Sequence, residues 1–134
     1  MIMKITTKTR YAVRALYRLA SYKGGEATLK EIARREGISV KYLEHIFPAL
    51  VRNGMIESSR GLKGGYKLKR KLSEISLMEI IRAVGEGVFV SECVEDNKLF
   101  DCPFENLCEA EKFWKRVRKR IEKVFESTKL EENQ

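Results

Sequence analysis

Residues 28–68, TLKEIARREGISVKYLEHIFPALVRNGMIESSRGLKGGYKL, decide the fold. Thr28 and Glu31 form the Thr-x-x-Glu capping box that opens a helix, in which hydroxyl and carboxylate satisfy each other's end N–H groups. Leu29, Ile32 and Ala33 give this helix an apolar side, and Gly37 stops it. Ser39 caps a second helix, whose Leu43, Ile46, Phe47 and Leu50 recur at helical spacing until Asn53-Gly54. Pro48 interrupts that pattern, so a kink or an early end is expected there, because proline lacks an N–H and crowds the carbonyl of Glu44. After Met55 the period falls to two. Ile56, Ser58 and Arg60 alternate, then Tyr66, Leu68 and Arg70, on either side of a Gly61-Leu62-Lys63-Gly64-Gly65 tip. Two helices crossing at a glycine could be an ordinary αα-hairpin. The basic, glycine-tipped β-hairpin that follows points instead to a winged helix-turn-helix.

Outward from this stretch, residues 6–22 read as a helix with Ala12, Val13, Leu16, Leu19 and Ala20 toward a core and Arg10, Arg14 and Arg18 repeating every four residues. Ser76 and Glu79 form another capping box, opening a short helix that carries Leu77, Ile80, Ile81 and Val84. Residues 88–108 are irregular and acidic, with seven carboxylates between Glu92 and Glu111 against Lys98 alone. In the last helix Ala110, Trp114, Val117, Ile121, Val124 and Thr128 alternate spacings of four and three, a coiled-coil seam of under three heptads. The fold class expected is mainly α with a small β-hairpin: a winged helix-turn-helix over residues 1–75, then a three-cysteine loop and a long C-terminal dimerisation helix over 76–134. Trp114, Val117, Ile121 and Val124 are the dimerisation candidates.

The chain has 134 residues, one domain's worth, and a net charge of +8 from 27 basic and 19 acidic side chains. Residues 1–75 hold 17 of the basic and 6 of the acidic ones, so the N-terminal part is the one suited to a polyanion. No apolar run is long enough to span a membrane, and the N-terminus lacks the apolar core of a secretory signal, so a cytoplasmic protein is expected. In a winged helix the N-terminal end of the second helix enters the major groove. Ser39, Lys41, Tyr42, Glu44 and His45 are its outward candidates, with Glu44 able to accept from a cytosine amino group. Arg60 at the wing tip suits a narrow minor groove, and Gly61, Gly64 and Gly65 allow a close backbone approach. The glycines are not a nucleotide loop, since no Gly-Lys-Ser/Thr follows.

Cys93, Cys102 and Cys108 are the only cysteines and lie within 16 residues. An odd, clustered set argues against a disulfide framework and for metal or redox chemistry. Thiolates select iron–sulfur clusters, zinc or copper, and the paired Cys-x-x-Cys spacing of zinc knuckles is missing. Glu111, one helical turn after Cys108, is the nearest fourth ligand, with Asp101 and Glu109 behind it. A regulator whose three thiols hold no metal, with thiol oxidation or a partner protein as its signal, is the competing reading. A small iron–sulfur electron carrier is a third, but no catalytic constellation accompanies the cysteines and an enzyme is not expected.

Thr9–Val13, Glu36–Glu44 and Arg60–Tyr66, in this order of elements, resemble the Rrf-type winged-helix transcription regulators, in their IscR/NsrR-like, cluster-binding branch. The resemblance covers nearly the whole chain. It implies a homodimer held by the last helix, a palindromic operator in double-stranded DNA, and an iron–sulfur cluster in the cysteine loop, [2Fe–2S] favoured over [4Fe–4S]. IscR-like members carry a histidine where this chain has Glu111. NsrR-like members, which are repressors, can borrow a carboxylate or histidine from a partner's first helix, and residues 1–25 here contain neither. The fourth ligand is therefore open.

Overall fold

The structure, a computed structural model, describes residues 5–59, 64–91, 94, 103 and 107–132. Helix α1 (Thr7–Ser21) opens at Thr6, whose hydroxyl accepts the Thr9 N–H at 3.2 Å. A short strand β1 (Glu26–Ala27) leads into α2 (Leu29–Glu36), where both halves of the expected Thr28/Glu31 capping box are made. Gly37 then adopts φ 66°, ψ 30°, the left-handed conformation that a side chain would oppose, and turns the chain into α3 (Val40–Arg52). Ser39 caps α3 as expected, accepting from Tyr42 N–H at 3.1 Å. As the Asn53-Gly54 stop predicts, α3 runs on to Arg52, so of the two outcomes expected at Pro48 the early end does not occur. Pro48 is exposed while Phe47, Ala49 and Leu50 around it are buried, so the ring faces water and packing on the opposite side outweighs the lost hydrogen bond.

The hairpin is β2 (Ile56–Ser59) and β3 (Gly65–Leu68), in register Ile56↔Leu68 through Ser59↔Gly65. It is not alone. Strand β1 adds to its other edge with Ala27 opposite Tyr66, giving a three-stranded antiparallel sheet in the order β1-β3-β2. A Cβ on Gly65 would stand 2.8 Å from the carbonyl oxygen of Ala27, so only glycine lets β1 approach this closely. Tyr66 also meets Phe47 edge to face at 4.9 Å between ring centres, fixing the wing against α3.

The main core gathers Leu16 and Leu19 of α1, Ile32 of α2, Leu43, Ile46, Phe47 and Leu50 of α3, and Ile56 of β2. Each such side chain contributes roughly 1.5–3 kcal/mol by leaving water. Helix α4 (Leu77–Ala83) puts Ile80 and the following Val84 into this core, while Met78 and Ile81 join Val88, Ile121 and Phe125 in a second cluster beneath α5 (Glu109–Ser127). Of the expected capping box at α4 only the serine half is seen, since Ser76 Oγ accepts from Glu79 N–H at 3.1 Å while Arg70 binds the Glu79 carboxylate at 2.5 Å. That hydrogen bond with Arg70, opposed by burial and helped by the guanidinium charge, holds the Glu79 carboxyl below its usual range. Beyond α5 the chain returns: Leu77 N–H donates to Thr128 O at 2.9 Å, Leu130 N–H to Ile75 O at 3.0 Å, and the Tyr17 hydroxyl to Leu130 O.

One carboxylate fastens α1 to the turn between α2 and α3. Glu36 accepts from Arg18 Nε at 2.9 Å and from the Arg14 guanidinium at 3.1 Å, and Arg14 also donates to the Glu36 carbonyl. Burial alone would favour the neutral acid, but the hydrogen bonds and charge of Arg18 and Arg14 outweigh it and hold this carboxyl below its usual range.

Two expectations follow. Gly65→Ala should destabilise the fold by about 1–3 kcal/mol, the usual cost of overpacking, read as a lower urea midpoint with unchanged slope. Glu36→Gln should cost about 1–3 kcal/mol at neutral pH, as for a lost charged hydrogen bond. Because the folded-state pKa is depressed, the wild-type advantage is full above the unfolded value and is lost as pH falls through the folded one. Urea titrations at pH 7 and pH 3 should show the two proteins converging at the lower pH.

Candidate nucleic-acid interface and cysteine site

Five of the expected reading residues come together. Ser39, Lys41, Tyr42, Glu44 and His45 line one shallow depression of about 480 Å³ along the outer side of α3. The capped helix start puts them there: Leu43, Ile46 and Phe47 take the inner face, so the intervening positions point outward. Tyr42 is held by its neighbour Tyr11 on α1, edge to face at 5.2 Å, and Tyr11 in turn lies under the Arg14 guanidinium at 5.4 Å. Tyr11 thus supports one of the candidate residues from another helix. Its place in the sequence, one turn from Arg14, gave no sign of this.

Gly64 and Gly65 of the wing join Glu44 in a second depression of about 600 Å³ between α2, α3 and β3, where Lys30 and Tyr66 also lie. Lys30 escaped sequence reasoning because its helix looked purely structural. Glu44 belongs to both depressions, so it faces the space between recognition helix and wing. Arg60 and Gly61 lie outside the described residues.

Cys93 and Cys102 also lie outside the described residues. Cys108 is the N-cap residue of α5, partly buried, and its side chain makes no capping hydrogen bond. Glu111 sits one turn on and is 4% exposed, with Oε1 2.9 Å from Lys115 Nζ. As a metal ligand this carboxylate would have to leave or share Lys115. Three thiolates are a donor set that iron–sulfur centres accept, so the residues fit such a group in kind. Among the described residues, no three His, Cys, Asp or Glu side chains converge on a metal position.

Only part of the expected seam of α5 is covered within the chain. Ile121 packs with Phe125 against Met78 and Ile81 of its own chain. Trp114 and Val124 are 38% and 58% exposed, Val117 is intermediate, and Phe113, not among the seam positions, is 46% exposed with its ring 4.9 Å from Trp114. A strict seam count picks Trp114 and passes over its neighbour Phe113. Among the described residues no helix is long and apolar enough to cross a membrane.

Comparison with known proteins agrees with this geometry. The family model described as Rrf2, iron-dependent transcriptional regulator, matches residues 5–132. The HTH-type transcriptional regulator IscR of Photorhabdus laumondii is 37% identical over 131 residues, covering 97% of this chain and 78% of that protein. Among solved structures, IscR of T. potens superposes with a TM-score of 0.69 at 34% identity, covering 96% of this chain and 83% of that one. The oxidized form of Staphylococcus aureus CymR does so with a TM-score of 0.69 at 32% identity, covering 96% and 93%. The chain belongs to the Rrf2 family: it is a helix-turn-helix transcriptional regulator of the IscR-like group, and not an enzyme.

Proposed function

We propose that this regulator acts in the cytoplasm as a homodimer on a palindromic duplex, and that an iron–sulfur cluster in the cysteine loop tunes its DNA affinity. The observation that carries the DNA reading is the continuous outward face from Ser39 to His45, extended through Glu44 to Gly64, Gly65 and Tyr66. One helix in a major groove reads a half-site, and a two-fold dimer reads two of them about one DNA turn, roughly 34 Å, apart. Residues 1–75 carry the reading surface and 76–134 the sensing and dimerising parts, with α4 packed into both.

Cys93, Cys102 and Cys108 would hold the cluster, [2Fe–2S] in preference to [4Fe–4S], and Glu111 is the position to test as fourth ligand. When bound, the cluster supplies a redox-active centre that can be lost or oxidised. The chain's own part is to supply the thiolates, with Cys108 at the start of α5, while Arg118 in the middle of that helix donates to the Val94 carbonyl. A second reading is a cluster-free regulator that signals through thiol oxidation. The half-buried, uncommitted Cys108 and the likeness to a protein solved in an oxidized form support it.

Three outcomes are expected. Arg60→Ala should weaken specific binding by about 1–3 kcal/mol and relax sequence preference, measured by gel shift against the DNA upstream of the chain's own gene. Val117→Lys combined with Val124→Lys should yield a folded monomer that loses operator affinity, whereas a native monomer at micromolar concentration in sedimentation would exclude the dimer. Anaerobically purified protein should be brown, each Cys→Ser variant should lose the visible absorption, and Glu111→Ala should alter the spectrum or speed its loss in air. A colourless protein without acid-labile sulfide would favour thiol sensing.

A further inference from the structure

The depression under the reading residues does not end at His45. On the other side of that histidine lies another, about 210 Å³, lined by Lys8 in the first turn of α1, by His45, Ala49 and Arg52 along α3, and by Val84 and Gly85 at the end of α4. We propose that this pocket takes a backbone phosphate of the DNA duplex, with Lys8 and Arg52 as its cationic donors and His45 as an N–H donor. The proposal rests on the DNA-binding reading and extends that interface beyond the recognition helix and wing.

No carboxylate lines the pocket. Within the described residues no hydrogen bond or ion pair engages Lys8, His45 or Arg52, whereas Arg14, Arg18, Arg70, Arg82 and Arg118 are all bound to carboxylates. The start of α1 adds the positive end of a helix dipole beside Lys8. The end of α4 would oppose an anion if its carbonyls were bare, but those of Ile80, Ile81 and Arg82 accept the N–H groups of Val84, Glu86 and Gly85 at 2.9–3.1 Å. An α-helix with its side chains, about 10–12 Å across, fills a major groove about 12 Å wide, so its flanks meet the bordering phosphates. His45 marks that boundary, since it lines both the reading depression and this one. Ala49 and Gly85 offer nothing that tells one base from another, so the contact should position the protein without reading sequence.

The test uses fluorescence anisotropy of the full chain, Lys8→Ala, Arg52→Ala, the double variant and Arg52→Lys. The probes are the duplex upstream of its own gene and a random duplex of equal length, titrated from 50 to 200 mM salt. Each lost phosphate contact should make the salt slope less negative by about 0.9, so over this range affinity falls about 3.5-fold less steeply for each single variant and about 12-fold less for the double. The loss should be the same factor on both duplexes, Arg52→Lys should keep the wild-type slope, and thermal unfolding should be unchanged. A wild-type slope in the double variant would overturn the proposal, as would a loss confined to the upstream duplex, which would mean base reading. Wild-type protein that bound neither duplex would instead overturn the DNA-binding reading itself.

Discussion

The packing of α4 constrains everything else in this chain. Its seven residues are too few to make a stable helix alone, so it exists because both of its sides are used. Ile80 is buried against α1 and α3, and Met78 and Ile81 are buried against α5. Arg82 extends the second contact with ion pairs to Glu126 at 3.1 Å and Glu122 at 3.5 Å, exposed pairs that set direction more than stability. The chain after α5 then pairs back onto residues 75–77, so α5 is tied to the reading domain at its C-terminal end as well as along α4. Helix α5 packs on α4, and α4 shares its core with α3.

Much of this was legible because the decisive signals are local. Capping residues at Thr28, Ser39 and Ser76, and the left-handed stop at Gly37, each act within one turn of chain and appear where the sequence puts them. The period change at Met55 gave the hairpin for the same reason. What escaped notice depends on distant partners. Strand β1 has two residues and no pattern of its own, and it exists because Gly65 leaves room beside Ala27. Glu79 carries a capping signature, yet its carboxylate goes to Arg70, nine residues away. Pro48 does not end α3, because burial on the opposite side of the helix holds it together and is invisible to a local rule.

The seam of α5 shows the limit of periodicity in another way. A repeat of four and three marks apolar positions but cannot say which neighbour will cover them. Ile121 and Phe125 face α4, while Phe113 and Val124 are left to solvent in the single chain. Part of the stripe is used within the chain, and Phe113, Trp114 and Val124 stay exposed. The same holds for the reading residues. Their outward direction follows from helix phase, but the support of Tyr42 by Tyr11 comes from a helix crossing.

These surfaces bear on how a signal at the cysteines could reach DNA. A ligand shifts an equilibrium only by binding its two states unequally, so the cysteine loop must contact something that differs between them. The loop meets α5 through Val94 and Arg118, and α5 meets α4 through Ile121, Phe125 and the Arg82 pairs. Each of these joints is packed or ion-paired, and none needs the recognition helix itself to deform. The end of α2, just before α3, is meanwhile tied to α1 through Arg14, Arg18 and Glu36, and α3 itself is fixed to the wing through Phe47 and Tyr66. If α3 reads DNA and the cysteines carry the signal, as proposed, a reader packed on α4 would respond to a change at α5 by moving as a body. In a dimer that alters the separation of two recognition helices, and a palindrome of fixed spacing is sensitive to that separation.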